Sequence, residues 1–325
     1  MASRHSARQV VVAVTGATGF IGRFLVQSLV ESGFQVRALA RSACRGVDSY
    51  GYGDLADSPN WNDALSGVDA VIHCAAVAHQ PLNEDPSLTD RIYRVNRDAV
   101  RSLADACVKQ EVRRLIFLSS VKVYGESSPP GEPFRETDPP SPKDDYGLSK
   151  AQAEELLRGF AGSELEICAL RLPLVYGPGN KANFRKLQKL ATSSLPLPLA
   201  SVRNRRSFLA LVNLAAVIKA LLDMKSWPFF ELNVADQQAV SVSQLITYLA
   251  EANGERAWLF PCPVSLLLFI GRIIGAEGTI EKLTGDMEIS VNLLKQAVPE
   301  LRLLSTEQAV KSGTFPANSI EGRGF

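Results

Sequence analysis

Residues 9–22, QVVVAVTGATGFIG, join an apolar run to three glycines and to the start of a helical pattern. The run at 9–15 is apolar on both faces, as in a strand buried within a parallel sheet. Residues 20–32 have the apolar spacing of an amphipathic helix. Gly16 allows a tight turn, and Gly22 lets the helix pack close to the strand. The stretch therefore predicts a strand, a glycine turn and a helix, in that order.

The same alternation continues through the first half of the chain. Apolar runs predict further strands at 35–40, 68–74, 114–119 and 165–170, and helical patterns fall at 91–108 and 146–160. Strands that alternate with helices build a parallel sheet from right-handed β-α-β units. After residue 172 prolines punctuate shorter helical patterns, at 182–192, 214–223, 243–252 and 264–274.

The predicted fold class is α/β, a Rossmann-type doubly wound parallel sheet with a smaller, mostly helical C-terminal lobe. We expect the Rossmann domain at 9–172 and a substrate-binding lobe at 173–313. Residues 314–325 are polar and rich in glycine, and we expect a flexible tail there.

The composition argues against several classes of protein. The 325 residues carry 35 basic and 34 acidic side chains, so we expect no nucleic-acid coating function. The five cysteines are widely spaced without a C-x-x-C pair, which predicts no disulfide framework, no bound metal and a reducing, cytoplasmic location. No apolar run is long enough for a membrane span. The most apolar stretch, VSLLLFIGRII at 264–274, predicts a packed or interface helix, with peripheral membrane contact as the alternative.

The glycine turn has the spacing of a phosphate cradle. Gly19 lets the backbone approach a pyrophosphate, and the following helix start supplies free N–H groups and a positive dipole end. The cradle is predicted to comprise Gly16, Thr18, Gly19, Phe20, Ile21 and Gly22. No carboxylate follows the second strand, and Arg41 stands just past it. An arginine suits a 2′-phosphate, so NADP is favoured as the cofactor, with NAD as the alternative.

Two residues in DDYGLSKAQAEE suggest proton transfer. Tyr146 and Lys150 are four positions apart, so a helix places both side chains on one face. A nearby ammonium group favours the phenolate and is expected to lower the Tyr146 pKa from about 10. The phenol can then pass a proton to or from an alcohol or ketone oxygen. Ser120 ends the fourth strand, where ligands of open α/β sheets bind, and its hydroxyl can hold that oxygen.

These motifs, taken in order, resemble the extended short-chain dehydrogenases/reductases of the NAD-dependent epimerase/dehydratase family. The resemblance is strongest to nucleotide-sugar 4-keto reductases and 4-epimerases of bacterial surface-polysaccharide and O-antigen synthesis. It is carried by TGATGFIG at 15–22, GDL at 53–55, HCAA at 73–76, VN at 95–96, Ser120, the Tyr146–Lys150 pair and RSF at 206–208.

The resemblance implies a role for each matching residue. Ser120, Tyr146 and Lys150 would form the catalytic triad, and Lys150 would also hold the nicotinamide ribose. The other implied cofactor contacts are Asp54 and Leu55 at the adenine, Ala75 and Ala76 beneath the cofactor, Asn96 and Pro173. Arg206 would grip a substrate diphosphate, and the other implied substrate contacts are Ser120, Val121, Tyr146 and Asn183. The resemblance also implies a homodimer through the helices at 91–108 and 146–160.

The sequence departs from the sugar dehydratases of this family after the catalytic hydroxyl. Val121 and Lys122 stand where an acid pair is usual, so we do not expect dehydration. The first hypothesis is reduction of a UDP-4-keto-6-deoxy-N-acetylhexosamine at C4, of the N-acetylquinovosamine type, with NADPH and with Tyr146 as acid. The alternatives are a UDP-GlcNAc or UDP-glucose 4-epimerase and a non-catalytic NADP-sensing protein. A lipid-linked sugar substrate is a further alternative.

Overall fold

A computed structural model describes residues 9–43, 47–57, 59–77, 86–180, 183–193 and 195–312. The tail predicted at 314–325 lies outside these residues. The described strands are β1 (Val11–Thr15), β2 (Gln35–Ala40), β3 (Ser49–Gly51), β4 (Ala70–His73), β5 (Arg114–Ser120), β6 (Glu166–Leu172), β7 (Leu174–Tyr176), β8 (Phe208–Ala210) and β9 (Glu231–Asn233).

The described helices alternate with these strands through the first half of the chain. They are α1 (Phe20–Glu31), α2 (Asn62–Leu65), α3 (Pro86–Tyr93), α4 (Ala99–Lys109), α5 (Asp145–Arg158), α6 (Asn183–Ala191), α7 (Leu211–Asp223), α8 (Val242–Ala252), α9 (Val264–Ile273), α10 (Glu277–Thr284), α11 (Asn292–Ala297) and α12 (Thr306–Lys311). The long inner strands, such as β1 and β5, are buried on both faces, so their sequences show apolar runs rather than an alternation.

Seven strands form one parallel sheet in the order β3-β2-β1-β4-β5-β6-β9. On one face Val12 and Val14 of β1 share an apolar cluster with α1 and α7. On the other face Val11 and Ala13 share a second cluster with α2, α4 and α5. Helices therefore cover both faces, and the predicted doubly wound fold is confirmed.

The structure adds strands that the sequence analysis did not predict. The short strands β3 and β9 extend the sheet at its two edges, and β7 and β8 form a separate parallel pair. β9 lies beyond residue 172, so the second half of the chain also contributes to the large sheet. The exact division into a domain at 9–172 and a lobe at 173–313 stays a prediction.

The helix predicted at 91–108 is not continuous. It is observed as α3, a π-helical turn at Arg94–Asp98, and α4. Such turns are rare and commonly occur at functional sites. The predicted homodimer through this region and α5 stays a prediction.

A buried carboxylate holds the second half of the chain together. Asp236 accepts hydrogen bonds from the Tyr176 hydroxyl (2.5 Å), Ala210 N (2.8 Å), Asn213 Nδ2 (2.7 Å) and the Thr306 hydroxyl (2.9 Å). These donors belong to β7, β8, α7 and α12. Asp236 therefore positions the β7–β8 pair against the helices around it.

No helix within the described part of the chain has the length and apolarity that crossing a bilayer requires.

Candidate active site

The glycine turn after β1 leaves no room for side chains. Gly16 has φ +63°, and a Cβ there would lie 2.9 Å from Cα of Ala75. A Cβ on Gly22 would lie only 2.2 Å from the carbonyl oxygen of Gly16. Gly19 N donates to Gly16 O at 2.8 Å, which closes the turn. The glycines thus leave the backbone accessible at the start of α1, which a bound dinucleotide pyrophosphate requires.

The start of α1 also has the right electrostatics for an anion. Gly19 is its N-cap, no side chain caps its N–H groups, and its first turn holds no acidic residue. The positive end of the helix dipole is therefore not neutralised by the helix's own residues. The residues present fit the phosphates of a dinucleotide. Thr18 beside them is exposed, whereas Phe20 and Ile21 are half-buried.

We expect Gly22→Ala to lower both stability and dinucleotide affinity. The added methyl group overlaps a backbone oxygen, so α1 must shift away from β1, at a cost of roughly 1–3 kcal/mol. Gly278→Ala in α10 is the matched control, because nothing lies within 4 Å of its Cβ position. Urea unfolding and calorimetric titration with NAD measure the two effects. Equal unfolding midpoints for the two variants would contradict the prediction.

Thr15, which the sequence analysis overlooked, joins the glycine turn to the end of β4. Its Oγ1 accepts hydrogen bonds from Cys74 N (3.2 Å) and Ala75 N (3.3 Å) and bonds with His73 Nδ1 at 2.9 Å. These bonds hold Ala75 against Gly16, and Ala76 follows exposed at the edge of the turn. The sequence feature that could have identified this role of Thr15 is its position at the end of an apolar strand.

Burial lowers the pKa of His73 to about 3, and the charge of Lys150 adds to the shift. Its Nδ1 bonds with Thr15, whereas Nε2 is buried without a hydrogen-bond partner among the described residues. Protonation would place an uncompensated charge there, so folded His73 stays neutral well below its ordinary pKa of 6.5.

We expect His73→Gln to flatten the acid side of the stability curve. Between about pH 6.5 and pH 3 the unfolded chain binds a proton that the folded chain excludes. His73 therefore makes stability fall as the pH falls through this window, by up to about 1.4 kcal/mol per pH unit. Urea unfolding of both proteins at intervals from pH 7 to pH 4.5 tests this. Parallel curves for wild type and variant would refute it.

The residues that the resemblance assigns to the adenine lie after β3. Leu55 is buried, and Asp54 accepts from Ala56 N (2.9 Å) and from Arg91 Nη2 of α3 (2.7 Å). The hydrogen bond from Arg91 and then that from Ala56 keep the pKa of Asp54 below its ordinary value. Arg41 is exposed just after β2. Contacts of all three with a cofactor stay predictions.

Asn96, inside the π-helical turn, connects three parts of the site. Its amide bonds both backbone groups of Val77, with Val77 N to Oδ1 at 2.8 Å and Nδ2 to Val77 O at 3.0 Å. Nδ2 also donates to Ser149 Oγ of α5 at 3.1 Å. The side chain is fully buried, so Asn96 positions the segment after β4 against α5 rather than lying open to solvent.

The sheet brings the predicted triad to the same edge as the glycine turn. Thr15 of β1 pairs with His73 of β4, which pairs with Phe117 of β5, and Ser120 ends β5 three residues later. With strands about 4.8 Å apart, β1 and β5 are separated by about 10 Å. Tyr146 and Lys150 lie in the first two turns of α5.

Two close contacts place α5 over the end of β5. A Cβ on Gly147 would lie 2.6 Å from Lys122 O, so only glycine lets α5 begin this close to the turn that follows Ser120. Lys150 is buried, and its Nζ donates to Leu118 O at 2.8 Å and lies 4.5 Å from the centre of the Phe117 ring. Ser120 Oγ accepts from Lys122 N at 3.2 Å.

The pKa values of Tyr146 and Lys150 differ from those expected from the sequence. Burial raises the pKa of Tyr146 to about 12, although hydrogen bonding with Ser120 opposes the shift. Burial also lowers the pKa of Lys150 to about 8. The expected lowering of the phenol pKa by Lys150 is therefore absent in the protein alone, because a buried site disfavours both charged forms.

Asp144, two residues before Tyr146, cannot act as a proton donor. Burial would raise the pKa of Asp144, but hydrogen bonds from Lys122 and from Gly147 N, the latter at 2.7 Å, hold it below its ordinary value. Asp144 is thus ionised at neutral pH. Lys122 also pairs with Glu126 at 2.7 Å, and Val121 is apolar and buried.

A buried ion pair that the sequence analysis missed lies behind the triad. Arg171 of β6 donates to Glu154 of α5 at 2.6 Å, and both are almost fully buried. Glu154 also accepts from the Ser119 hydroxyl at 2.5 Å. Arg171 donates to the Tyr124 hydroxyl at 2.8 Å, which donates to Asn233 of β9 at 2.9 Å. The network ties α5 to three strands.

Arg206, which the resemblance implies at the substrate, is connected to the turn that follows Ser120. Arg206 is half-buried, its Nη1 donates to Gly285 O at 2.9 Å, and burial lowers its pKa. Its bridge partner Met287 packs in one apolar cluster with Val121. Pro173, which the resemblance implies as a cofactor contact, is buried between β6 and β7. Asn183 begins α6, but its side chain lies outside the described residues.

A model of the NAD dependent epimerase/dehydratase family matches residues 12–234. The chain belongs to this family. The match spans the glycine turn, the triad and the large sheet, from the second residue of β1 to the residue directly after β9. The family resemblance predicted from the motifs is therefore confirmed.

Curated members of the epimerase/dehydratase family align over most of the chain. A UDP-glucose 4-epimerase of Vibrio cholerae is 33% identical over 88% of this chain and 89% of its own length. An N-acetyl-α-D-glucosaminyl-diphospho-ditrans,octacis-undecaprenol 4-epimerase of Escherichia coli O157:H7 is 28% identical, over 97% of this chain and 89% of its own.

Solved structures show the same architecture. A UDP-N-acetylglucosamine 4-epimerase from Bacillus cereus superposes with a TM-score of 0.74 at 21% identity, covering 94% of this chain and 96% of its own. MoeE5 in complex with UDP-glucose and NAD superposes with a TM-score of 0.72 at 25% identity, covering 93% and 97%.

Proposed function

We propose that this family member is an NAD-dependent 4-epimerase acting on a hexose or N-acetylhexosamine that is linked through a diphosphate. The main supporting observation is that the Ser120 and Tyr146 side chains are hydrogen-bonded at the end of β5. The neighbouring Lys122 and Asp144 form an ion pair with each other. Such a site supports reversible oxidation of a secondary alcohol. The alignments with two 4-epimerases support the same reaction.

Tyr146 is proposed as the acid and base at the C4 oxygen. The phenolate form of Tyr146 takes the hydroxyl proton as C4 is oxidised, and the phenol so formed returns it after the keto sugar has presented its other face. The Ser120 hydroxyl holds the same oxygen and stabilises the phenolate by hydrogen bonding. Burial keeps the phenol neutral in the protein alone, so Lys150, charged below about pH 8, is proposed to favour the phenolate only in the complex with cofactor and substrate. The bound NAD supplies hydride acceptance and return at C4.

The remaining site residues are proposed to hold the two ligands. The start of α1 would bind the cofactor pyrophosphate, with Ala75 packed beneath it. Arg206, and Asn183 at the start of α6, would bind the substrate diphosphate. A family dehydratase needs a proton donor for water loss, and neither Val121 nor the paired Lys122 provides one. Elimination is therefore not proposed.

Product analysis of the purified protein tests the proposal. We expect UDP-GlcNAc or UDP-glucose to convert partly to its C4 epimer in the presence of NAD, without net change in the reduced-nicotinamide absorbance. Nuclear magnetic resonance of the sugar identifies the epimer. Cofactor binding without conversion of any diphosphate-linked sugar would refute the epimerase and support the non-catalytic alternative.

The exposed Arg41 favours a second candidate, the NADPH-dependent 4-keto reductase. Arginine after β2 suits the 2′-phosphate of NADP, and no carboxylate at 38–42 repels it. Stoichiometric loss of NADPH absorbance with a UDP-4-keto-6-deoxy-N-acetylhexosamine, greater than the loss with NADH, would establish this reaction instead.

The diphosphate carrier is a separate question. The name of the Escherichia coli relative specifies an undecaprenol carrier, whereas that of the Vibrio relative specifies UDP. Parallel assays with UDP-GlcNAc and with undecaprenyl-diphosphate GlcNAc in detergent separate the two. The substrate with the higher kcat/KM identifies the diphosphate carrier that the protein prefers.

A further inference from the structure

Helix α9 presents an apolar stripe to solvent. Leu266, Phe269, Ile270, Ile273 and Ile274 follow the i, i+3, i+4, i+7, i+8 spacing of one helix face, and all are exposed. Phe269, Ile273 and Ile274 are 61%, 68% and 66% exposed. We call these five residues the outward stripe. Soluble proteins rarely leave so continuous an apolar face uncovered.

The stripe is not needed to attach α9 to the protein. The opposite face does that, since Leu267 and Gly271 are buried. A Cβ on Gly271 would lie 2.6 Å from Cδ1 of Ile280, so α9 and α10 form a close-packed hairpin. Leu267 packs with Cys262 and Val202. A helix that is apolar on both faces is expected to contact a second apolar environment in addition to the core of its own protein.

The exposed apolar surface continues beside α9. The segment before the helix exposes Phe260 and Trp258, the latter to 62%. It is hydrogen-bonded to the chain near Leu197, with Leu197 N to Trp258 O at 2.8 Å and Phe260 N to Leu197 O at 3.0 Å. Leu195, two residues earlier, is 64% exposed. Tryptophan at the rim of an apolar surface is typical of membrane interfaces.

The segment that carries this surface is basic, although Glu255 and Glu277 flank it. Residues 256–276 contain Arg256 and Arg272 and no acidic residue. Arg272 is 76% exposed at the end of the stripe, although it pairs with Glu277 at 3.2 Å. The stretch on either side of Leu195, residues 183–206, contains six basic residues and no acidic one. Within it, α6 leads directly to Leu195 and exposes its three basic side chains, Arg185, Lys186 and Lys189.

We propose that α9 is an interfacial helix that docks the protein on a bilayer with anionic headgroups. The outward stripe, with Trp258 and Phe260, enters the headgroup–acyl boundary, and the basic side chains of α6, Arg256 and Arg272 contact anionic lipid. Apolar burial and electrostatic attraction act together in such binding. Docking is independent of the identity of the sugar substrate.

The hairpin that carries the stripe is fastened to the proposed substrate side. α10 ends at Thr284, and the carbonyl of Gly285 accepts from Arg206 at 2.9 Å. Asn204 Nδ2 donates to Leu283 O (3.0 Å) and Gly285 O (2.9 Å). The docking surface and the site around Arg206 thus belong to one packed unit, so docking fixes how that site faces the membrane.

Vesicle flotation of the full chain tests the proposal. We expect wild type to float with vesicles of equimolar phosphatidylcholine and phosphatidylglycerol, and to bind pure phosphatidylcholine more weakly. Phe269→Ser/Ile273→Ser is expected to reduce binding to the anionic vesicles about tenfold or more. Val10→Ser/Val30→Ser is the matched control, because these valines are 44% and 50% exposed, just before β1 and on α1. Circular dichroism confirms that both variants fold.

A second measurement locates the contact. Brominated acyl chains should quench the fluorescence of wild type, and Trp258→Phe should abolish that quenching, since the other two tryptophans, Trp61 and Trp227, are more buried. Failure of wild type to bind anionic vesicles overturns the proposal, as does equal binding by the stripe variant. If instead the stripe variant converts a dimer to a monomer in sedimentation velocity without vesicle binding, the stripe contacts a second copy.

Discussion

Replacing Tyr146 by phenylalanine is expected to lower kcat by about 10²–10⁴-fold, the usual contribution of a positioned acid or base. The variant loses only one oxygen, so the shape of the pocket is kept. Asp144 is a poor substitute for the phenol, because hydrogen bonds from Lys122 and Gly147 N keep it ionised and lower its pKa. Lys122 is itself paired with Asp144 and Glu126.

Stopped assays of C4 epimer formation measure this effect. NAD affinity should stay within about twofold of wild type, because the chemistry and not the binding of the cofactor needs the phenol. Tyr248→Phe in α8 removes the same atom away from the end of β5 and should keep full activity. A kcat for Tyr146→Phe within about tenfold of wild type would show that another group transfers the proton.

The members of this site could be predicted from local motifs, but their ionisation could not. Tyr146 and Lys150 are four residues apart, and Ser120 ends an apolar strand, so each is visible in a short window of sequence. The spacing says that phenol and ammonium share a helix face. It does not say that α5 is buried against β5, and that burial is what moves both pKa values toward the neutral forms.

The strands also differ in how far the local sequence predicts them. Long apolar runs such as β1 and β5 were predicted with nearly correct bounds. β9 has three residues and no periodicity of its own. It pairs with β6 at the sheet edge, and its Asn233 is hydrogen-bonded to Tyr124, 109 positions earlier. A contact at that distance leaves no pattern in the sequence.

Breaking the Glu154–Arg171 pair is expected to have the largest effect on stability. Glu154→Gln leaves the Arg171 guanidinium buried with its main counter-charge removed, which typically costs about 3–5 kcal/mol. Glu231 lies 3.5 Å from Arg171 but already pairs with Arg158, so it compensates only in part. Urea unfolding measures the loss.

A double-mutant cycle separates the pair from its surroundings. Arg171→Met should also destabilise, because the Glu154 carboxylate then keeps only the Ser119 hydroxyl. The double variant should lose less than the sum of the single losses, by roughly 0.5–3 kcal/mol. Additive losses would mean that the two side chains act through separate partners.

The matched control is an ion pair at the opposite end of β6. Arg114 of β5 pairs with Glu166 of β6 at 3.0 Å, but the Glu166 side chain is one-third exposed. Glu166→Gln should therefore cost no more than about 1 kcal/mol. Glu154 is four residues from Lys150 and bonds to Ser119, beside Ser120, so its loss should also lower kcat. If Glu154→Gln unfolds no more easily than Glu166→Gln, the buried network does not set the position of α5.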